Sequence, residues 1–277
     1  MRVLVQQPVA ALWPEPKRSS PLADEMLHGM EAEVLADEAE YVNVRAFYGY
    51  TGYAGRECLR SDPQILARWD GLPKMTVGSA TADVLSQPKV QGMLLCALPR
   101  GSRVAALPGP ENGWQPVLCA DGRKGYMRKV FLSELPASPY PLESITANGA
   151  EVLRRRLVDT ALSYLGAPYR WGGRTPQGLD CSGLCHMAYL LNGIIIFRDA
   201  RIHPDYPVRE IPLRRVKPGD LLYFPGHMAM ALGEGRFVHA SMGQEVVATA
   251  SLREGDQNYR GDLAGQLLAA GSVFDDG

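Results

Sequence analysis

Residues 151–165, EVLRRRLVDTALSYL, carry apolar side chains at Leu153, Leu157, Ala161 and Leu165. A spacing of four places them on one helix face, and Gly166 and Pro168 predict its end. A second helix is predicted from about residue 181 to 192, with Leu184, Cys185, Ala188 and Leu191 on one side. Asp180 stands at its N-cap position and Gly193 past its end. Beyond residue 219 the period changes to two. Residues 220–224, 227–232, 236–240 and 245–248 read as successive strands, with Gly233-Glu234-Gly235 as a three-residue hairpin loop. Helices followed by a meandering sheet is an α+β pattern.

The first half has no such helix. Short apolar runs alternate with Gly, Pro, Asn and Asp turns, and the pattern recurs. Pro16-Lys17 precedes Gly29 at the same distance as Pro88-Lys89 precedes Gly101. An aromatic follows each, Tyr41 and Trp114. YGYTGYA at 48–54 then matches DGRKGYM at 121–127, aligning Gly49 with Gly122, Gly52 with Gly125 and Tyr53 with Tyr126. Two copies of one small antiparallel barrel account for this. Residues 136–147, PASPYPLESITA, fit a linker. The predicted organisation is a first barrel over 1–65, a second over 66–138 and an α+β domain over 139–277.

Composition narrows the function classes. Hydrophobic residues make up 46% of 277, which excludes a disordered chain. A formal charge of −1 gives no electrostatic reason to expect a nucleic acid partner. No apolar run approaches the roughly 18–20 residues of a membrane span. The start MRVLVQQ lacks an apolar signal core, so the chain as written is expected in the cytoplasm; a signal removed ahead of Met1 would make it an exported protein. Five cysteines with no CxxC pair argue against a disulfide framework and give only a weak case for zinc.

One cysteine is placed for chemistry. Cys181 opens the second predicted helix, where unpaired N–H groups and the helix dipole favour a thiolate. Gly183 is expected to keep the backbone there open to a substrate. Cys185, one turn on, reads as core. On the predicted hairpin, with Glu234 at its centre, residue 239 pairs with 229. His227 and His239 then share a face as diagonal neighbours, with Cβ atoms about 6–8 Å apart. A base oriented by a second polar group is what an activated thiol needs.

These residues resemble the NlpC/P60 cysteine peptidases of bacterial peptidoglycan. Tyr169-Arg170-Trp171-Gly172-Gly173 and Asp180-Cys181-Ser182-Gly183 match the family's core. Pro218-Gly219-Asp220-Leu221, His227 and Gly235-Arg236-Phe237-Val238-His239-Ala240 match its later strands. The usual Leu-Pro-Arg-x-Ala-x-x-Gln stretch is altered to Ile196-Phe197-Arg198-Asp199-Ala200, with His203 in the Gln position. The resemblance implies a papain-like catalytic domain behind two SH3-like barrels, as in the dipeptidyl-peptidase VI branch. It implies a γ-D-glutamyl-L-diamino acid endopeptidase acting on peptidoglycan stem peptides with a free N-terminal L-Ala, with no metal or cofactor. Cys181 is then the nucleophile, His227 the base, His239 its orienting partner and Tyr169 a wall over the thiol. Backbone N–H groups at the helix start would hold the oxyanion. Asp180, Ser182, and Glu25 and Tyr53 from the first barrel would meet the amino end of the substrate. The third residue of the stem is open between diaminopimelate and Lys. Rival readings are a general wall hydrolase, an acyltransferase or amidase on the same fold, and a non-catalytic wall-binding protein.

Overall fold

A computed structural model describes residues 1–109, 112–136 and 140–274. The chain divides into two compact units, residues 1–135 and 136–277. In the first unit, β1 (Arg2–Val5), β2 (Val9–Leu12), β3 (Asp24–Leu27), β4 (Glu31–Glu38), β5 (Tyr41–Ala46), β6 (Thr51–Gly55) and β7 (Leu59–Arg60) precede helix α1 (Pro63–Asp70). After it come β8 (Lys74–Val77), β9 (Thr81–Leu85), β10 (Leu94–Pro99), β11 (Arg103–Ala106), β12 (Trp114–Leu118), β13 (Lys124–Arg128) and β14 (Leu132–Glu134).

The two sets share one topology. The second is a sheet in the order β10-β9-β13-β12-β11-β8-β14. The first runs β6-β5-β4-β1-β7, with the hairpin β2-β3 attached beside β6 through a single Trp13–Tyr53 bridge. Adding seven to each strand number of the first set gives the second. Aligned glycines do the same work: Gly29 and Gly101 have φ of 72° and 90°, Gly49 and Gly122 of 91° and 90°, a region that costs an L side chain energy. Among the described residues neither strand order closes on itself, so the barrel expected of each set is shown only as a β-rich unit. Helix α1 is also new. Pro63 opens it and Asp62 caps it, accepting from Gln64 and Ile65 N–H. Residue 65, where the sequence reading ends its first barrel, lies inside this helix.

His28 holds the two sets together. It is buried in the turn after β3. Its Nδ1 lies 3.0 Å from the Gln6 carbonyl oxygen, and its Nε2 accepts the Ala120 N–H at 3.0 Å. The His28 carbonyl accepts from Arg103 N–H at 2.7 Å. These contacts fix a neutral ring protonated on Nδ1, and burial holds its pKa at about 4 instead of 6.5.

The second unit has α2 (Ala147–Leu162), β15 (Arg174–Thr175), β16 (Gly178–Leu179), α3 (Cys181–Leu190), β17 (Arg209–Ile211) and β18 (Leu221–Phe224). Then follow β19 (His227–Gly233), β20 (Arg236–Ser241), β21 (Val246–Ser251), α4 (Gly261–Ala264) and β22 (Ala269–Ser272). The main sheet runs β17-β22-β18-β19-β20-β21, and α3 packs against β19, β20 and α2. Every residue of α3 is buried, which is why its periodicity is weak. Leu153, Leu157 and Ala161 of α2 are buried as expected, but Leu165 is 50% exposed. The helix ends at Leu162, and Tyr164 takes the buried place in the following turn. Arg154 pins α2 to the sheet through Asp220 at 2.7 Å, and Asp220 also accepts from Ser272 Oγ and Lys217 N–H.

Of the linker expected over 136–147, residues 137–139 lie outside the described residues. Tyr140 N–H donates to the Gly193 carbonyl, and Leu142–Ser144 form a 3₁₀ turn. Among the described residues no helix is long and apolar enough to cross a membrane.

His28 yields a sign-defined prediction. Its unfolded pKa lies above its folded one, so its contribution to stability is full above pH 6.5 and is lost as pH falls toward 4. Urea unfolding of wild type and His28→Gln should show wild type more stable at pH 7, with the gap shrinking by about 2 kcal/mol at pH 5. A gap independent of pH would contradict the neutral bridge.

Candidate active site

The site begins with a cap. Asp180 has extended backbone, and its Oδ1 accepts the Gly183 N–H at 2.6 Å, so the chain enters α3 at Cys181. Its Oδ2 accepts the Gly172 N–H at 2.8 Å, drawing the Tyr169–Gly173 loop onto the helix start. The glycines permit this approach. A Cβ on Gly183 would sit 2.3 Å from the Gly173 carbonyl oxygen, and one on Gly173 would sit 2.4 Å from that of Gly178. Gly183 therefore serves packing, where the sequence reading has it open to a substrate.

Arg198 completes this cluster, and sequence reasoning missed it as a site residue. Its side chain is 2% exposed. It donates to Asp180 Oδ1 and Oδ2 at 3.0 and 3.2 Å, to Ser182 Oγ at 2.7 Å and to the Gly173 carbonyl at 3.2 Å. A cation directly after the apolar run Ile194-Ile195-Ile196-Phe197 is the signal that could have found it, because a charge carried into a core needs a partner. Both Asp180 oxygens are thus engaged within the protein, and Ser182 Oγ lies 3.1 Å from Oδ1.

Cys181 is 7% exposed. Burial, and then the Asp180 charge, push its thiol up to about 11; a hydrogen bond from the Met228 backbone, Arg198 and the Ser182 backbone act in the opposite direction. Met228 follows His227 on β19, the strand against which α3 packs. Cys185 is buried, as expected of a core residue, and all five cysteines are free.

The two histidines come together. His227 Nε2 lies 2.9 Å from His239 Nδ1, and His239 Nε2 lies 3.3 Å from Gln244 Oε1. Their hairpin differs in detail from the expected one. Gly233 pairs with Arg236, leaving a two-residue loop of Glu234 and Gly235 with φ of 53° and 78°, as a type I′ turn requires. A bulge between Ala231 and Gly233 then restores the expected register, with Met230 opposite Val238. The shorter loop and the bulge cancel, so the two rings still share a face. They extend the apolar row of Ala229, Ala231 and Phe237. Burial there lowers His227 to about 4, with Arg260 adding; burial and then His227 lower His239 to about 3. At neutral pH both rings are uncharged.

Tyr169 is half-buried, and its backbone N–H donates to the Glu245 carbonyl at 2.7 Å. Burial, with Cys181 and Asp180 nearby, raises its hydroxyl to about 12, so it stays protonated as a donor. Glu25 and Tyr53 lie in the first unit. Glu25 is 1% exposed on β3, opposite Ala11. The Tyr53 hydroxyl lies 3.3 Å from Glu38 Oε1. Among the described residues no group of three His, Cys, Asp or Glu is placed to hold a metal ion.

Residues 166–261 match the model of the NlpC/P60 family. Dipeptidyl-peptidase 6 of Lysinibacillus sphaericus is 41% identical, over 99% of this chain and 100% of its own length. The chain belongs to the NlpC/P60 family. The gamma-D-glutamyl-L-lysine dipeptidyl-peptidase of Bacillus subtilis is 24% identical over 83% of this chain and 76% of its own. The crystal structure of an NlpC/P60 family protein from Bacillus cereus superposes with a TM-score of 0.78 at 21% identity, covering 98% of each chain. The fold is therefore the NlpC/P60 fold with β-rich N-terminal units.

Removing one side of the Arg198 pair leaves a buried carboxylate uncompensated, at a cost of about 3–5 kcal/mol. Arg198→Met should lower the urea midpoint accordingly, and adding Asp180→Asn should recover part of the loss. Additive effects of the two substitutions would show that the pair does not act as a unit.

Proposed function

We propose that this NlpC/P60 cysteine peptidase hydrolyses the γ-D-glutamyl–L-diamino acid bond of peptidoglycan stem peptides, with a preference for short peptides carrying a free N-terminal L-Ala. The observation that carries the mechanism is the 2.9 Å contact between His227 Nε2 and His239 Nδ1, on strands that pack against α3, the helix that Cys181 opens. The substrate class is supported by relatives named dipeptidyl-peptidase 6 and gamma-D-glutamyl-L-lysine dipeptidyl-peptidase.

Cys181 Sγ attacks the γ-carbonyl carbon of D-Glu while His227 takes the thiol proton. A neutral ring is the competent form of that base, which its lowered pKa maintains. His239 orients His227 and accepts its Nε2–H as positive charge develops. Gly183 N–H is committed to the Asp180 cap, so the oxyanion falls to the N–H groups of Cys181 and Ser182. His227 then protonates the leaving amine of the diamino acid. Water attacks the thioester, releases L-Ala-γ-D-Glu and restores the thiol. Asp180 and Ser182 hold the helix start in place, and Tyr169 offers a hydroxyl donor beside the thiol. We further read the two β-rich sets on either side of α1 as two SH3-like domains and residues 139–277 as the catalytic domain; the common strand order of the two sets supports the duplication.

The test is mass-spectrometric analysis of L-Ala-γ-D-Glu-diaminopimelate and its Lys counterpart after incubation with the full chain. Dipeptide and free diamino acid are expected. Cys181→Ala and His227→Ala should each lose nearly all activity, because members of a catalytic unit are not additive; Cys185→Ala should retain most of it. N-acetylating the peptide should raise KM about tenfold or more, consistent with loss of an ammonium contact. Equal rates on acetylated and free peptides would point instead to a general wall hydrolase. The acid limb of kcat/KM should lie below the ordinary histidine value of 6.5, since lowered pKa values keep both rings neutral further into acid.

A further inference from the structure

We propose that Gln244 is a positioning residue that sets the tautomer of the His239–His227 pair by acting as a hydrogen-bond acceptor. This rests on the peptidase reading above. A neutral imidazole has one N–H and one lone pair, and either nitrogen can carry the proton. Two polarities of the chain are therefore available. In one, His227 Nε2–H donates to His239 Nδ1, and His239 Nε2–H donates to Gln244 Oε1. His227 Nδ1 is then a lone pair, able to take the Cys181 proton. In the other, the Gln244 amide N–H donates to His239 Nε2 and His239 Nδ1–H donates to His227 Nε2, so His227 Nδ1 already bears hydrogen and cannot act as a base. The 2.9 Å contact is common to both polarities, whereas the 3.3 Å contact sets an oxygen, which can only accept, against His239 Nε2. The acceptor at the far end decides between them.

Gln244 lies in the exposed turn between β20 and β21, and the backbone of that turn is anchored. Gln244 N–H donates to Ser241 Oγ at 3.2 Å, and Arg260 donates to the same oxygen at 3.3 Å. The Glu245 carbonyl receives Tyr169 N–H at 2.7 Å, and Val246 bridges Pro168. One turn thus fixes the reach of Gln244 to His239 and the position of Tyr169. The charged groups bearing on the two rings are Arg260, which disfavours protonation, and Asp262, which is paired to Arg260. Both act on charge. Gln244 acts on which nitrogen holds the proton.

Two substitutions separate acceptor from shape. Gln244→Glu keeps an acceptor and removes the donor; Gln244→Met keeps the length and removes both. Histidine ¹⁵N spectra of the full-length protein report the tautomer without substrate, and kinetics on L-Ala-γ-D-Glu-diaminopimelate report the consequence. Wild type and Gln244→Glu should hold His239 protonated on Nε2, and Gln244→Met should give a tautomer mixture. Gln244→Met should lose about tenfold in kcat with KM within about twofold, the size of one ordinary hydrogen bond. Gln244→Glu should stay within about threefold of wild type, with the acid limb of kcat/KM moved to higher pH because a carboxylate favours the imidazolium. An unchanged tautomer in Gln244→Met overturns the proposal, as does a Gln244→Glu loss equal to that of Gln244→Met. Failure of wild type to cut the tripeptide would count against the peptidase reading alone, because the spectra need no substrate.

Discussion

The carboxylate of Asp180 ties together the parts of the site that come from separate stretches of chain. One oxygen ends the backbone of α3 by accepting Gly183 N–H, and the other draws in the Gly172 loop. Arg198 closes over both and reaches Ser182 and Gly173 as well. The cluster is buried, so every group in it must be partnered. That requirement explains the glycines at 173 and 183, where backbone meets backbone too closely for a Cβ. It also places Cys181 at the first helical position.

The chemistry follows from what this scaffold does to solvent. Packing α3 wholly inside the unit desolvates the thiol, and the apolar row on β19 and β20 desolvates the two rings. Burial favours the neutral form of each, so at neutral pH Cys181 rests as the thiol and both rings as imidazole. A hydrogen-bonded ring partner matters more in such a site than it would in water, because little solvent is present to stabilise the imidazolium.

Much of the candidate site's geometry was legible in the sequence, for physical reasons. The N-cap Asp180 and the strand alternation are local signals, and the register of the histidine hairpin survived an error in its loop. Two local changes cancelled: the loop lost a residue and the strand gained a bulge. Arg198 and Gln244 were missed because their partners lie on other elements, or across a turn whose geometry no periodicity announces. Leu165 was misplaced because a four-residue spacing continues past a helix end that Ser163 and Gly166 set. In the first unit the repeat was visible, whereas α1 was hidden by its length, and sheet closure depends on pairing that sequence spacing does not encode.

The most direct test of the account is to trap the acyl-enzyme. Full-length protein mixed with L-Ala-γ-D-Glu-diaminopimelate, quenched in acid within the first turnover and digested, should yield the Cys181 peptide carrying an L-Ala-γ-D-Glu acyl group in thioester linkage, absent from Cys181→Ala. Cleavage of the tripeptide with the acyl group on another residue, or undiminished cleavage by Cys181→Ala, would contradict it.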